Sequence, residues 1–229
     1  MNPVSRMFEH LIPSGGLPDP LPVEPIALLQ SWLHDAEGSG KYPDPNAMTL
    51  ATVSADGRPS ARIVLCKSID TDPSSLVFFT NYHSRKGCEL EDSPVAAVVF
   101  HWAHHGRQAR AEGRVLRLPA ADCDAYFESR PLLSRLGAWA SRQSEPLGSR
   151  SELVTAVAKL AAKYALRWPL ITSKESIPRP PHWGGYRLVF ESIELWAAGE
   201  GRLHDRIVWT RSSHDDADKP RWDHQRLYP

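Results

Sequence analysis

The chain has 229 residues and carries 27 basic and 27 acidic side chains, which gives a formal net charge of zero. This balance argues against a protein that binds nucleic acid through bulk electrostatics, so any local basic cluster is expected to meet a local anion. Hydrophobic residues at 41% and charged residues at 24% are ordinary values for a globular protein and exclude wholesale disorder.

Residues 1–22 contain Pro and Gly without periodicity, which predicts an N-terminal arm that is mobile or lies on another surface. Residues 23–229 are expected to form one domain. A helix is predicted from Glu24, with Pro25 in its first turn, and its end is expected at residues 38–40. Two β-rich runs, 48–54 and 59–67, flank Asp56-Gly57, which predicts a hairpin because this dipeptide tolerates positive φ.

Further strands are predicted at residues 75–81, 94–102 and 107–118. Five closely spaced strands with short connections favour a closed or nearly closed antiparallel barrel. Helices are expected at residues 119–130 and, after a capping-box pattern, from residue 149 to 164. Residues 168–181 are predicted to be a surface loop, after which β character returns at residues 182–196. The fold class is therefore mainly β with flanking helices.

One stretch near the C-terminus, residues 196–209, places three cationic or proton-exchanging side chains at alternate positions. If its second half is a strand, Arg202, His204 and Arg206 share one face, because side chains alternate with period two. That face is either a solvated sheet edge or the surface that meets an anionic ligand.

Two other clusters have a structural and a functional interpretation. Ser84 is placed as the N-cap of a short helix that begins with Arg85 and Lys86, so the segment is either a solvated helix start or a phosphate cradle. Tyr126 and Arg130 are four residues apart and share a helix face. They are either a core tyrosine with an extended arginine packed along it or two contacts to one ligand.

No metal site and no disulfide framework are predicted. His101, His104 and His105 lie at a strand end and its turn without a carboxylate or thiolate to complete a set, so a polar hairpin tip is favoured over a metal site. The three cysteines are widely spaced and odd in number, which favours reduced thiols in a cytoplasmic protein. No apolar run approaches the roughly 18 residues that a membrane span needs, and the N-terminus has no apolar signal-peptide core.

Ten short motifs occur in the order in which they are found in the pyridoxine/pyridoxamine 5′-phosphate oxidases, and the chain resembles that family over about residues 24–229. The motifs are Asn46–Val53, Arg62–Lys67, Phe79–Asn81, Ser84–Lys86, Arg107-Gln108, Tyr126–Pro131, Gly137–Ser141 with Gln143-Ser144, Pro180–Gly185, Arg202–Arg206 and Arg226–Pro229.

The resemblance implies an antiparallel split β-barrel homodimer that binds two FMN molecules in clefts at the subunit interface. The implied FMN-binding residues of one subunit are Arg62, Ile63, Val64, Leu65, Cys66, Lys67, Phe79, Thr80, Ser84, Arg85, Lys86 and Gln108, and the second subunit is expected to add Gln143, Ser144, Trp196 and Arg206. Arg62 and Lys67 are five residues apart and would face opposite sides of a regular strand, so a bulge, or a position of Lys67 past the strand end, is expected.

The implied reaction is the oxidation of pyridoxine 5′-phosphate and pyridoxamine 5′-phosphate to pyridoxal 5′-phosphate. A hydride passes from the substrate 4′ carbon to the flavin, and O₂ is then reduced to H₂O₂. The substrate phosphate is expected to be held by Lys67, Tyr126, Arg130 and Ser134, with Arg202 and His204 over the pyridine ring as the implied catalytic residues.

The sequence departs from the family pattern at Leu132, Leu133 and Arg135, next to the expected substrate site. One alternative is therefore a related flavin oxidase of an aromatic intermediate, of the phenazine type. Such relatives tend to lose the substrate-phosphate residues, all of which are present here. A second alternative is a flavin-binding split barrel without turnover, which would not require Arg202 and His204.

Overall fold

The computed structural model describes residues 17–164, 177–212 and 221–229. Within these ranges the chain forms one antiparallel sheet of eight strands, together with five α-helices. The strands are β1 (Ala47–Val53), β2 (Pro59–Thr71), β3 (Ser74–Asn81), β4 (Val95–Trp102), β5 (Arg107–Arg117), β6 (Trp183–Ala197), β7 (Asp205–Arg211) and β8 (Trp222–Leu227). The helices are α1 (Ile26–Gly38), α2 (Arg85–Asp92), α3 (Ala120–Ser129), α4 (Leu132–Ala140) and α5 (Arg150–Lys163).

Six of the strands close into a barrel, which confirms the predicted fold class. Their order is β3-β2-β1-β4-β5-β6, and β6 returns to pair with β3 from Ser75↔Val189 to Asn81↔Trp183. The predicted hairpin joins β1 to β2, and Gly57 in its turn has a φ of +81°. Apolar side chains at alternate positions fill the barrel, including the fully buried Leu50, Phe78, Phe100 and Leu188. Burial of this apolar face is the main force that holds the strands together.

Strand β6 belongs to the barrel along its first half and to an extension of the sheet along its second half. Residues 183–189 pair with β3, whereas residues 192–197 pair with β7, and β8 follows β7 at the edge. Strand β5 accompanies β6 over both halves, with a register shift between Glu112 and Gly113. A Cβ at Gly113 would lie 1.9 Å from the carbonyl oxygen of Val189, so glycine permits this close approach.

The N-terminal arm is only partly described, since residues 1–16 lie outside the described residues. Residues 17–22 pack against the sheet of their own chain, where Leu17 is buried and its N–H donates to Asp205 on β7. The indole N–H of Trp209 donates to the carbonyl of Pro22 at 3.2 Å. Residues 17–22 are therefore irregular in conformation and lie against the sheet, whereas the arm as a whole stays a prediction. Helix α1 begins at Ile26 after Pro25, two residues later than predicted.

Helices α3, α4 and α5 cover one side of the barrel and surround a second, smaller apolar cluster. Its buried residues are Phe127, Leu136, Ile177 and Trp183. Pro131 separates α3 from α4. Most of the predicted loop at 168–181 lies outside the described residues. Across the described ranges, none of the helices is both long enough and apolar enough to span a bilayer.

Candidate functional site

The site begins at an irregularity in β2. Cys66 pairs with Phe78 and Ser68 pairs with Val77, so Lys67 is the extra residue of a β-bulge. The predicted bulge is thereby confirmed, and Arg62 and Lys67 both line one cavity despite their spacing.

Before the bulge, β2 pairs with β1 alone and has an open edge. The N–H of Cys66 donates to the carbonyl of Asn46 at 2.9 Å. Because every second residue of an antiparallel strand bonds to the same neighbour, the backbone groups of Arg62, Val64 and Cys66 face β1. The backbone N–H and C=O groups of Ile63 and Leu65 are therefore directed toward the open edge. This edge forms one side of the cavity.

The cavity has a volume of about 790 Å³ and lies between this edge, β3 and helices α2 to α4. That size is typical of pockets for small molecules and cofactors. Twelve residues predicted for the site line it: Arg62, Ile63, Val64, Leu65, Lys67, Phe79, Thr80, Lys86, Tyr126, Arg130, Ser134 and Gln143. Six residues for which the sequence analysis gave no site role also line it: Asn81, Pro131, Gly137, Ala138, Ser141 and Trp183. All six belong to the motifs quoted for the family resemblance, so membership in those motifs was the available signal.

A stack of aromatic rings forms one wall of the cavity. The ring centroids of Phe79 and Tyr126 are 3.9 Å apart, and those of Phe79 and Trp183 are 5.3 Å apart, both pairs with nearly parallel planes. The Lys67 ammonium lies 6.0 Å from the Tyr126 ring centroid. A flat wall next to a cation suits an aromatic ligand that also carries negative charge.

Arg130 lines this cavity, and one of its hydrogen-bond donors has no protein acceptor among the described residues. Its guanidinium lies 4.5 Å from the Trp183 ring centroid, and its buried Nη1 has no hydrogen-bond partner among the described residues. Burial lowers the pKa of Arg130, although an arginine stays protonated at neutral pH. Because a buried, unpaired cationic donor is costly, an anion that accepts from it would be bound favourably.

A second cationic group lies at the start of α2. Ser84 caps the helix as predicted, and its Oγ accepts from the N–H of Gly87. The Lys86 ammonium donates to Gln143 Oε1 at 2.8 Å and to the hydroxyls of Thr80 and Ser84, each at 3.2 Å. Burial is the main cause that lowers the pKa of Lys86 to about 8, and the charge of Arg62 is the second. This lysine is buried beside the cavity rather than solvated, which favours the phosphate-cradle interpretation.

Gln143 and Ser144 reach this cradle from the same chain. The Oγ of Ser144 accepts from the backbone N–H of Arg85 at 3.1 Å, and Ser144 has a φ of +75°, which is unusual for a residue with a side chain. The family resemblance implied that the second subunit supplies both residues. The structure corrects that assignment, because the turn after α4 carries them to the Lys86 and Arg85 of their own chain.

Gln108, Trp196 and Arg206 lie apart from the cavity, in one row across the outer face of the sheet. Gln108 pairs with Trp196 and Trp196 pairs with Arg206 on adjacent strands. Side chains of such partners share a face, and the buried residues beside them point to the opposite one. Arg206 donates to Glu194 and to the carbonyl of Tyr228. Gln108 therefore groups with Trp196 and Arg206 rather than with Arg62 and Lys67.

The prediction that Arg202 and His204 share a strand face with Arg206 is wrong. Residues Glu200–Arg202 form a 3₁₀ turn, and β7 begins only at Asp205. Gly201 and Arg202 both have positive φ, of +58° and +65°, which no regular strand accommodates. His204 instead packs its ring on Trp196, whereas Arg202 is exposed.

Cys66 does not present its side chain to the cavity. The thiol is buried on the barrel side of β2 and donates to the carbonyl of Ser68. Burial, assisted by the charge of Asp70, raises its pKa to about 12. The backbone N–H and carbonyl of Cys66 are both paired with Asn46, so Cys66 does not line the cavity.

Two family models match the chain. The model described as "Pyridoxamine 5'-phosphate oxidase" matches residues 37–164, and the model described as "Pyridoxine 5'-phosphate oxidase C-terminal dimerisation region" matches residues 183–229. Among curated proteins, the pyridoxine/pyridoxamine 5′-phosphate oxidase of Paraburkholderia phytofirmans is 48% identical over 206 residues, which covers 90% of this chain and 89% of that protein. The protein of the same name from Thermosynechococcus vestitus is 49% identical with the same coverage.

Solved structures with the same fold include PhzG from Burkholderia lata 383 in complex with tetrahydrophenazine-1-carboxylic acid. It is 34% identical, has a TM-score of 0.79, and the match covers 92% of this chain and 95% of that chain. A pyridoxamine 5′-phosphate oxidase-related, FMN binding protein from Nostoc punctiforme has a TM-score of 0.65 over 89% of this chain and 96% of that chain. At 17% identity that second likeness concerns the fold alone.

Proposed function

Since the chain belongs to the pyridoxamine 5′-phosphate oxidase family, we propose that it oxidises pyridoxine 5′-phosphate and pyridoxamine 5′-phosphate to pyridoxal 5′-phosphate, with FMN as cofactor. The proposed electron acceptor is O₂, which is reduced to H₂O₂. FMN, when bound, supplies the hydride acceptor for this reaction.

The observation that carries the proposal is the presence of two separate cationic groups in one cavity. One is the cradle of Lys86, Thr80 and the N-terminus of α2. The other is Arg130, with a buried donor that lacks a protein acceptor, beside Lys67 and the aromatic wall. Two phosphates, one on the cofactor and one on the substrate, require two such groups, and the residues present therefore fit FMN together with a B6 phosphate.

In this proposal the protein's own residues bind and orient the reactants. The open edge of β2 offers backbone groups to the flavin ring, and Lys86 with Thr80 binds the flavin phosphate. Lys67, Tyr126, Arg130 and Ser134 hold the substrate phosphate. Fixing both phosphates restricts how the two flat rings slide over one another, and this orientation is the main contribution that the site makes to the rate.

We further propose a homodimer with shared sites. The C-terminal residues match the family's dimerisation region, and the row of Gln108, Trp196 and Arg206 lies outside the cavity of its own chain. A partner that presents this row and Arg202 to the cavity would complete the site. The single domain at residues 23–229 and the cytoplasmic location stay predictions from the sequence.

A steady-state assay with pyridoxine 5′-phosphate that reads peroxide and aldehyde together tests the proposal. Both products should appear in equal amounts, and the purified protein should carry about one non-covalent FMN per chain. Preference for FAD over FMN, or flavin binding without turnover of either B6 phosphate, would count against the proposal. The latter result would instead favour a flavin carrier.

The second candidate is a flavin oxidase of an aromatic intermediate, and the likeness to PhzG at 34% identity supports it. Including tetrahydrophenazine-1-carboxylic acid as a parallel substrate separates the two. The placement of Lys67, Tyr126, Arg130 and Ser134 around one cavity favours the phosphorylated substrate, so turnover of the B6 phosphates is expected to be the faster reaction.

A further inference from the structure

A buried carboxylate lies directly behind the phosphate cradle, where a negative charge would be expected to oppose phosphate binding. Glu89, on α2, is 4% exposed. We infer that Glu89 is a positioning residue that holds Arg62 and Arg85 in the orientation that FMN requires. This inference rests on the proposed FMN-dependent function.

The contacts of Glu89 join three elements of the fold. Its Oε1 accepts from Arg85 Nε at 2.9 Å, one turn earlier on α2. Its Oε2 accepts from Arg62 Nη2 on β2 at 3.2 Å and from the Thr52 hydroxyl on β1. The Ser60 hydroxyl also donates to this carboxylate. Glu89 thus links α2 to β1 and to β2, the strand that carries the cavity's open edge.

The same contacts determine which nitrogen atoms of the arginines stay available. Glu89 engages Arg85 through Nε, so the two terminal nitrogens of Arg85 can turn toward a ligand, and this side chain is 61% exposed. Arg62 is held more fully, since its terminal nitrogens donate to Thr52, Ser60, Glu89 and the carbonyl of Leu50. Arg62 is therefore fixed in the cavity wall. Because Glu89 already holds Arg62 and Arg85, these two side chains lose little further conformational freedom when a ligand binds.

The carboxylate is ionised over the working pH range. Burial raises the pKa of Glu89, but hydrogen bonds from Thr52, Ser60, Arg85 and Arg62 outweigh burial and lower the pKa to about 2. Its charge therefore always offsets part of the positive charge beside the cradle. If charge alone mattered, removing it would strengthen phosphate binding, whereas loss of orientation would weaken it. The two explanations thus predict opposite signs.

Glu89→Gln separates them, because glutamine has nearly the same shape but keeps only one acceptor oxygen. Its amide NH₂ would face one of the two sets of donors, so one arginine would be released. The matched control is Glu91→Gln on the same helix, where Glu91 accepts from Arg117 at 2.8 Å and from Tyr186 at 3.2 Å, outside the cavity lining. FMN release from the full-length holoprotein on dilution, followed by recovery of flavin fluorescence, gives the Kd of each protein.

The Kd for FMN is expected to rise about 10-fold in Glu89→Gln, the scale seen when a group that orients a ligand-binding side chain is removed, and to stay near wild type in Glu91→Gln. Riboflavin, which lacks the phosphate, should lose less affinity. A Glu89→Gln protein that binds FMN as tightly as wild type, or more tightly, overturns the inference. Failure of the wild-type chain to bind FMN would instead overturn the proposed function, and the inference with it.

If Glu89→Gln does not fold, Glu89→Asp decides the question. Aspartate keeps the charge but withdraws the carboxylate by one methylene, so it cannot reach Arg62 and Arg85 together. Weaker FMN binding by Glu89→Asp supports positioning. Wild-type affinity in that variant would show that simultaneous contact with Arg62 and Arg85 is not needed, and would overturn the inference.

Discussion

The imidazole of His204 packs on the indole of Trp196, with ring centroids 4.5 Å apart and planes inclined by 45°. Its Nδ1 also accepts from the backbone N–H of Gly199 at 3.1 Å. A Cβ at Gly199 would lie 1.9 Å from the carbonyl oxygen of Leu203, so the turn is tightly closed. His204 therefore anchors the turn on the sheet, and the turn presents Arg202 outward.

Arg202→Met is expected to lower kcat/KM by on the order of 10²-fold while FMN stays bound, because an orienting contact to the substrate is lost. Methionine keeps the length of the side chain, so the comparison isolates the guanidinium. Steady-state kinetics, together with the flavin absorbance of the purified variant, measure the two effects. Unchanged kcat/KM would remove Arg202 from the site.

His204→Asn is expected to cost less than Arg202→Met and to leave the pH profile of kcat nearly unchanged. The reason is that His204 acts by holding the turn, and hydride transfer to a good flavin acceptor needs only a weak base. The profile is recorded for wild type and variant between pH 5.5 and 9. Loss of turnover together with loss of an ionisation would identify His204 as the catalytic base.

FMN affinity is expected to fall as the pH rises through about 8, the pKa to which burial and Arg62 lower that of Lys86. The FMN phosphate favours the protonated ammonium of Lys86, so the pKa of Lys86 is higher in the complex than in the free protein. The contribution of Lys86 to FMN affinity is therefore fully present only at pH values below the pKa of the free protein. The Kd for FMN should increase by up to about tenfold per pH unit above that value.

The control is Lys86→Arg, since arginine keeps its charge above pH 12 and should flatten the dependence. FMN titrations between pH 7 and 10 on both proteins test this point. A decline of equal steepness in both would assign the effect to a different group.

Arg130→Ala is expected to weaken binding of pyridoxine 5′-phosphate by about 1.5–3 kcal/mol, the scale of a charge-assisted hydrogen bond, with little effect on FMN affinity. Unphosphorylated pyridoxine should be affected much less. Arg135→Ala is the matched control, because Arg135 lies on the adjacent helix but does not line the cavity. Equal losses for pyridoxine and its phosphate would contradict the assignment.

Mixing Arg85→Ala chains with Arg206→Ala chains should restore activity if the sites are shared. In a mixed dimer both lesions fall in one site and the other is intact, so a random mixture should regain about a quarter of the wild-type sites. Each parent alone is expected to be weakly active. Mixed dimers that form without any gain over the parents would exclude a shared site.

The barrel could be predicted from the sequence because apolar and polar residues alternate within each strand and because turn-forming residues, such as Asp56-Gly57, lie between strands. The bulge at Lys67 needed the family resemblance as well, which implies that Arg62 and Lys67 meet one ligand although they are five residues apart, and left a bulge or a position past the strand end as explanations. Such inferences work where the pattern is local and the period of the element is fixed.

Arg202 and Gln143 show where sequence reasoning failed. The alternation of Arg202, His204 and Arg206 resembles a strand, but Gly199 and Gly201 permit a tight turn that competes with the strand, and the packing of His204 on Trp196 favours the turn. Gln143 reaches Lys86 only through the path of the chain after α4. Contacts over 57 residues of sequence leave no periodic signal, so they had to be seen in the fold.

The two family models divide the chain at a position where the fold has no structural boundary. The N-terminal match ends at residue 164 and the dimerisation match begins at residue 183, the first residue of β6. Yet β6 is the strand that joins β3 to β5, and Trp183 lies in the cavity wall. A gene fragment that ends at residue 182 would leave two unpaired sheet edges, so it is expected to aggregate rather than to persist as a monomeric flavoprotein. Strand β6 therefore belongs both to the region that matches the dimerisation model and to the wall of the cavity.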